Sequence, residues 1–97
     1  MSVYCFDIDG TICSKEAPEN YSKATPHKLM IQKINKLYDE GHTIYLFTSR
    51  HMQKEPLTKE WMQRYKVKYH HIFFGKPVAE LYVDDLAMKP EEFLEKF

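Results

Sequence analysis

Two aspartates one residue apart, Asp7 and Asp9, follow the apolar residues 3–6 and precede Gly10 and Thr11. Because side chains alternate along a β-strand, a regular strand would point both carboxylates to the same side. Two like charges held together repel each other unless a cation or a shared proton lies between them. Mg²⁺ resolves the repulsion most simply, since it prefers oxygen ligands. This spacing of residue types therefore indicates phosphate chemistry.

Polar groups also follow three later apolar runs, and each of these groups could act on a phosphate. They are Thr48, Ser49 and Arg50 after residues 43–47, Lys76 after residues 71–74, and Asp84 and Asp85 after residues 81–83. In a parallel sheet, functional side chains gather at the carboxyl ends of the strands. We therefore expect all four runs to deliver their polar residues to one edge of the sheet.

The aspartates and the lysine predict a mechanism for cleaving a phosphate ester. Asp7 would act as a carboxylate nucleophile that forms an acyl-phosphate and divides hydrolysis into two steps. Asp9 would protonate the leaving group and later activate water. Lys76 is a compact cation that would stabilise charge on the transferring phosphoryl group and balance the acids.

The other polar residues are predicted to bind the phosphate, the metal or the rest of the substrate. Hydroxyl and backbone N–H groups can bind phosphate oxygens, and the residues predicted to do so are Gly10, Thr11, Thr48, Ser49 and Lys76. The predicted Mg²⁺ ligands are Asp7, Asp9, Asp84 and Asp85, with either member of the last pair as the direct ligand. Arg50 and Tyr21 are candidate substrate contacts, and Arg50 fits a pair with a surface acid equally well.

Short apolar runs alternate with helical patterns along the chain. Strands are predicted at residues 3–8, 42–48, 71–74 and 81–83, and helices at about residues 26–40 and 57–66 and from Pro90 onward. Thr25 is the predicted N-cap of the first helix, and Gly41 ends it. The alternation predicts one α/β domain over residues 1–97, with a mostly parallel sheet buried on both faces. The predicted strand order is 3-2-1-4, with the site between strands one and four.

Length and composition exclude several classes of protein. Ninety-seven residues suffice for one domain with one core. Basic and acidic residues balance at a formal net charge of zero, which disfavours a nucleic-acid-binding surface. No apolar run approaches the length of a membrane span, and the N-terminus shows no secretory pattern, so the expected location is the cytoplasm.

In order and spacing, the polar groups resemble the four motifs of the haloacid dehalogenase (HAD) superfamily. The resemblance rests on Asp-Ile-Asp-Gly-Thr at residues 7–11, on Thr48, on Lys76 and on the Asp84 and Asp85 pair. It implies a three-layer, Rossmann-like core and a Mg²⁺-dependent phosphatase. Asp7 would be the nucleophile, and Asp9 the general acid and base whose main-chain carbonyl binds the metal. Asp84 would be the main further ligand, with Asp85 auxiliary to it.

Residues 21–24, 48–50, 74–77 and 82–85 further resemble small members of this superfamily that lack a cap domain. Those members are associated with capsule and surface-polysaccharide biosynthesis, which implies a sugar or polyol phosphate as the substrate. The intervals between the motifs are too short to hold a cap. The site would then be covered by the 12–24 loop, by a neighbouring subunit in a homo-oligomer, or by the substrate itself.

Other classes of protein also use acidic motifs. A calcium loop of the EF-hand type is excluded, because Ile12 and Pro18 stand where that loop requires glycine and glutamate. A receiver domain uses an acidic pair, a phosphoaccepting aspartate, a threonine and a lysine, but its pair comes first, whereas here it comes last. Two functions stay open beside the hydrolase: a phosphate-responsive signalling or binding module, and a phosphotransferase whose acceptor is not water.

Overall fold

Strands and helices alternate along the chain, which a computed structural model describes from Met1 to Phe97. The elements are β1 (Val3–Asp7), α1 (Lys28–Asp39), β2 (Thr43–Thr48), α2 (Glu55–Arg64), β3 (His71–Phe74) and α3 (Pro90–Lys96), with 3₁₀ turns at Pro18–Lys23 and Met52–Lys54. The first three strands and the three helices were predicted from the sequence, and their bounds differ from the prediction by a residue or two.

The strands form one parallel sheet in the order β1-β2-β3, with β2 in the centre. Cys5 lies opposite Tyr45, which in turn lies opposite His71, so all strands present odd-numbered residues to the same face. Parallel neighbours need a crossover connection, and α1 and α2 supply the two connections. The predicted α/β architecture with a parallel sheet is confirmed.

The fourth predicted strand does not form, so the order 3-2-1-4 is not observed beyond its first three members. Residues 81–83 pair with no strand and are exposed. The Tyr82 hydroxyl instead donates a hydrogen bond to the carbonyl oxygen of Pro77. Asp84 Oδ1 accepts the N–H of Leu86 at 2.9 Å. These local bonds favour turns over an extended ladder, and the outer edge of β1 stays open.

The core lies on a single face of the sheet. The strand residues in it are Phe6, Ile44, Leu46 and Ile72, and the helices add Met30, Ile31, Ile34, Leu37, Trp61, Met62 and Phe93. Because these strand residues are all even-numbered, the three helices cover the same face. Tyr45 and Phe73 lie on the odd-numbered face, where Phe73 is 49% exposed. The structure has two layers where three were predicted, because no helix remains to cover the second face.

The helices are short, and α1 begins later than the sequence predicted. Its N-cap is His27 and not Thr25. Thr25 instead pairs with Ser14: its N–H donates to Ser14 Oγ at 2.8 Å, and its carbonyl accepts the N–H of Ser14 at 2.9 Å. None of the helices combines the length and the apolar character that a membrane span requires.

The segment between β1 and α1 is fastened to α2. Trp61 Nε1 donates to the carbonyl oxygen of Ala24 at 3.0 Å, and this bond is buried. Arg64 Nη1 donates to the carbonyl oxygen of Ser22 at 3.1 Å. These bonds hold the Pro18–Lys23 turn beside the carboxyl ends of the strands.

Candidate active site

The acidic motif forms the turn that leaves β1 at its carboxyl end. Asp7 is the last residue of the strand, and Asp9 lies in the turn. The carbonyl oxygen of Ile8 accepts three successive N–H groups, those of residues 11–13. Gly10 has a φ of +86°, a left-handed conformation that residues with a Cβ adopt only at a cost. The glycine therefore permits the tight turn that keeps both aspartates at the strand end.

The Asp7 carboxylate lies beside Lys76. Its Oδ2 is 3.5 Å from Lys76 Nζ, and its Oδ1 accepts the N–H of Ile8 at 2.8 Å. Burial raises the pKa of Asp7 above its ordinary value; the charge of Lys76 opposes this effect, and the charge of Asp9 adds to it. The Asp7 side chain is 34% exposed. It therefore combines a neighbouring cation with an open approach from solvent.

Lys76 is placed by the turn that follows β3. Gly75 ends the strand with a φ of +86°, and the N–H of Lys76 donates to the carbonyl oxygen of Thr48 at 2.9 Å. The ammonium nitrogen lies 4.4 Å from the ring centroid of Phe47 and 3.9 Å from that of Tyr82. A cation over an aromatic face is attracted by the ring quadrupole. The two rings therefore help to fix the ammonium group at the edge of the sheet.

Asp9 is paired with Arg50. Arg50 Nη2 lies 2.8 Å from Asp9 Oδ1, and Arg50 Nε lies 3.1 Å from Asp9 Oδ2. The Thr48 hydroxyl also donates to Asp9 Oδ2, at 3.2 Å. From the sequence, Thr48 was predicted to contact phosphate, and Arg50 to contact substrate or a surface acid. Both side chains are buried and face Asp9.

The other residues predicted to bind phosphate, Gly10, Thr11 and Ser49, lie at the same strand ends. Some of the backbone N–H groups there are already hydrogen-bonded, and others are free to bind a phosphate. The N–H of Gly10 donates to the carbonyl oxygen of Cys13 at 2.8 Å, and that of Thr11 donates within the turn. The backbone N–H of Asp9 donates to no backbone acceptor. Ser49 is exposed and Thr11 is half-buried. The N–H of Asp9 and the two hydroxyls are thus the groups best placed to receive a phosphate.

The predicted metal ligands do not form one cluster. Asp84 and Asp85 lie on the exposed segment 77–89, and no three His, Cys, Asp or Glu side chains are arranged to hold a metal ion. Two oxygen donors are nevertheless present at the turn. They are the Asp7 carboxylate and the main-chain carbonyl of Asp9, which accepts no backbone hydrogen bond. Carboxylate and carbonyl oxygens are the type of ligand that a hard cation such as Mg²⁺ prefers.

The residues that hold Arg50 in place were not predicted from the sequence. Thr58 Oγ1 on α2 accepts a hydrogen bond from Arg50 Nη1 at 3.0 Å, and the Cys13 sulfur lies 3.8 Å from Nη2. Burial raises the pKa of the Cys13 thiol to about 12, so it stays neutral. The Tyr21 ring covers the guanidinium at 4.0 Å. Thr58 could have been found, because a polar residue one turn before Trp61 lies on the buried face of the helix.

Comparison with known proteins gives likenesses of structure alone. No family model matches the chain, and no curated protein matches it either. A crystal structure of a target protein from Vibrio cholerae matches with a TM-score of 0.87 and 26% identity, over 100% of this chain and 90% of that one.

Two further solved structures share the fold at lower identity. A chain of a Pnkp1/Rnl/Hen1 complex matches with a TM-score of 0.70 and 19% identity over 98% of this chain. The D,D-heptose 1,7-bisphosphate phosphatase from B. bronchiseptica, in complex with magnesium and phosphate, matches with a TM-score of 0.59 and 15% identity over 90% of this chain. This chain spans 34% and 54% of their lengths, respectively. The fold is therefore one that also occurs in a phosphatase.

Proposed function

We propose that this protein is a HAD-type phosphomonoester hydrolase that acts through an aspartyl-phosphate on Asp7. The observation that carries the proposal is the half-exposed Asp7 carboxylate at the end of β1, with Lys76 Nζ at 3.5 Å and Asp9 two residues away. The shared fold with a solved phosphatase supports it. The test is the release of inorganic phosphate from an aryl phosphate ester by the purified protein.

Each residue has a defined part in the proposed reaction. An Asp7 oxygen attacks phosphorus while the bond to the leaving oxygen breaks, and Asp9 gives its proton to that oxygen. Water then attacks the phosphorus of the acyl-phosphate and passes a proton back to Asp9. The bond between phosphorus and Asp7 breaks, which releases phosphate and restores the carboxylate. Lys76 stabilises the negative charge that develops on the phosphoryl group.

We propose Mg²⁺ as the cofactor. Asp7 and the main-chain carbonyl of Asp9 would hold it, with Asp84 as the third protein ligand and Asp85 as auxiliary. Bound Mg²⁺ would supply positive charge that polarises the phosphoryl oxygens. For Asp84 to take part, the exposed segment 77–89 must shift toward the turn. The heptose bisphosphate phosphatase of the same fold is described with magnesium and phosphate.

The proposed substrate is a sugar or polyol phosphate. The heptose bisphosphate phosphatase shows that this fold can serve such a substrate in another protein. The Asp7 carboxylate is 34% exposed at the carboxyl end of β1, so a substrate can reach it from solvent. A panel of sugar, polyol, nucleotide and peptide phosphates tests the proposal, and a preference for nucleotides or phosphopeptides would contradict it.

A second candidate function is a phosphate-responsive module that accepts a phosphoryl group and releases it slowly. The pairing of Asp9 favours this candidate, because the hydrogen bonds from Arg50 and Thr48 compete with water for the oxygens of the acid that must activate it. The two functions differ in turnover. Steady phosphate release supports the hydrolase, whereas a long-lived phosphoenzyme supports the module. Transfer to an added alcohol in preference to water would indicate a phosphotransferase.

Replacing Lys76 by methionine is expected to move the acidic limb of the kcat/KM profile to higher pH. Lys76 is the strongest of the influences that lower the pKa of Asp7, and without it burial and the charge of Asp9 raise that pKa further. Asp7 attacks as a carboxylate, so activity then requires a higher pH. The measurement is kcat/KM against pH, with Lys76→Arg as the charge-retaining control. An acidic limb that stays in place contradicts this account of Asp7.

The open face of the sheet leads us to predict a homo-oligomer. Both faces of a parallel sheet are normally covered, yet Tyr45, Phe47 and Phe73 lie on a face that no helix of the chain covers. Light scattering is expected to give a mass above that of one chain, and Phe73→Ser is expected to lower it. A strict monomer contradicts this prediction. A strict monomer that also prefers the smallest phosphate esters contradicts the alternative, in which a bulky substrate covers the site.

A further inference from the structure

Arg50 lies at the centre of a buried network that joins three parts of the chain. Its Nη2 and Nε groups donate to the two oxygens of Asp9, at 2.8 and 3.1 Å. Its Nη1 donates to Thr58 Oγ1 on α2 at 3.0 Å. The ring of Tyr21, from the Pro18–Lys23 turn, lies 4.0 Å from the guanidinium carbon. Both ends of the guanidinium group and one of its faces are therefore engaged by the protein.

The burial of this network separates Arg50 from the position of a substrate. Arg50 is 3% exposed, whereas the Asp9 side chain is 21% exposed. A buried charge is stable only when it is paired and hydrogen-bonded, and Asp9 is the acid that pairs with it. Arg50 thus contacts Asp9 from the protein side and leaves the solvent side of the carboxylate open.

We propose that Arg50 is a positioning residue, which fixes the Asp9 carboxylate for proton transfer and does not bind the substrate. This inference rests on the proposed hydrolase function. A guanidinium fork binds both oxygens of a carboxylate and so fixes its plane, which the single ammonium of lysine does not do. Thr58 and Tyr21 hold the fork itself, and they connect α2 and the 3₁₀ turn to the orientation of Asp9.

The proton balance explains why orientation matters. As the leaving oxygen gains a proton, the O–H bond of Asp9 breaks and its carboxylate becomes charged; Arg50 is already in place to stabilise that charge. A carboxyl group that is free to rotate would spend less time aimed at the leaving oxygen. Loss of Arg50 should therefore slow reactions in proportion to how much the leaving group needs a proton.

The experiment compares two substrates that differ in this need. A nitrophenyl phosphate releases a weakly basic oxyanion that needs little protonation, whereas glycerol phosphate releases a strongly basic alkoxide. The value of kcat/KM reports only the steps up to departure of the leaving group, so the later activation of water does not enter. The variants are Arg50→Gln and Arg50→Lys, with Asp9→Asn as the reference and Lys59→Gln, an exposed cation on α2 that pairs only with Glu55, as the control.

We expect Arg50→Gln to lower kcat/KM with glycerol phosphate about a hundredfold, which is within the range of general acid–base catalysis. The factor by which kcat/KM falls with the aryl ester should be at least tenfold smaller. Asp9→Asn should show the same pattern more strongly, Arg50→Lys an intermediate one, and Lys59→Gln parental values. Equal losses with both esters would assign Arg50 a structural role. An unchanged single-turnover rate of leaving-group release at saturating substrate, with only the substrate affinity weakened, would assign it to substrate binding. Either result overturns the proposal.

Two further readouts keep the inference testable. If Arg50→Gln does not fold, Thr58→Val and Arg50→Lys carry the comparison, because both keep the buried charge; a loss without leaving-group dependence in both overturns the proposal. A parent protein that releases phosphate from neither ester overturns the hydrolase function itself, and the role of Arg50 falls with it. A parent that is active with both esters, and variants that fall equally, overturn the role of Arg50 alone.

Discussion

Replacing Asp7 by asparagine is expected to lower phosphate release by several orders of magnitude while the fold is retained. The amide keeps the size of the side chain and can still accept the hydrogen bond from the N–H of Ile8. It is a poor nucleophile toward phosphorus, however, so the covalent route is lost. The measurement is kcat with an aryl phosphate, for the parent and for Asp7→Asn. The exposed Asp39→Asn, which removes a surface charge, serves as the control and should stay fully active.

The stability of Asp7→Asn checks the same site independently. The folded state raises the pKa of Asp7, mainly through burial. A carboxyl group with a raised pKa favours folding in its neutral form and opposes it as the pH rises and the group ionises. At neutral pH a neutral amide removes that opposition, so the melting temperature should not fall below that of the parent. A variant that unfolds contradicts the predicted effect of burial on Asp7. A variant that hydrolyses the ester at the parental rate contradicts the role of Asp7 as the nucleophile.

Removal of divalent cations is expected to abolish phosphate release, and added Mg²⁺ is expected to restore it. The Asp7 carboxylate and the free main-chain carbonyl of Asp9 are oxygen donors at the open strand end. A ligand that binds only the folded state also stabilises it by mass action, so Mg²⁺ should raise the melting temperature. The measurements are activity and thermal unfolding, with chelator and with excess Mg²⁺.

The contribution of Asp84 and Asp85 to Mg²⁺ binding is tested by neutralising both side chains. The double variant Asp84→Asn, Asp85→Asn should need more Mg²⁺ for half-maximal activity and should show a smaller rise in melting temperature. Glu91→Gln, on α3, is a control of equal exposure outside the segment and should match the parent. If the activity and melting temperature of the parent are both indifferent to Mg²⁺ and to chelator, magnesium has no part in the mechanism.

The gathering of the proposed site residues could be predicted from the sequence because parallel strands end at one edge. Asp7 follows β1, Thr48 ends β2, and Lys76 follows β3, and each is next to a short apolar run. The structure brings Lys76 Nζ to Asp7 and the Thr48 hydroxyl to Asp9. Strand periodicity predicted where the strands end, and Gly10 and Gly75 predicted the turns that follow. Both glycines take the left-handed φ that these turns require.

The partner of Asp9 could not be predicted, because it depends on packing between distant elements. Arg50 contacts Thr58 on α2 and Tyr21 in the 3₁₀ turn while it pairs with Asp9, and these residues are far apart in the sequence. The repulsion between the two aspartates predicted a metal ion between them. In the structure Lys76 and Arg50 each pair with one of them. Charge balance alone therefore does not require a metal at this turn.

The fourth strand was predicted from its composition, and composition does not decide pairing. Residues 81–83 are apolar enough for a strand, but a strand forms only when its backbone finds a partner. Tyr82 instead contacts Pro77 and Lys76 within its own segment. The same reasoning explains the missing third layer: α1, α2 and α3 all pack on the even-numbered face, where the apolar side chains of the helices are buried.

The most direct test of the central claim is to trap the phosphoenzyme. The protein is mixed with excess aryl phosphate and Mg²⁺, quenched in acid within one turnover, digested and analysed by mass spectrometry. We predict a phosphoryl group on the peptide that contains Asp7, sensitive to hydroxylamine as acyl-phosphates are, and absent from Asp7→Asn. Steady phosphate release without any such adduct, and with Asp7→Asn still active, would contradict the aspartyl-phosphate mechanism.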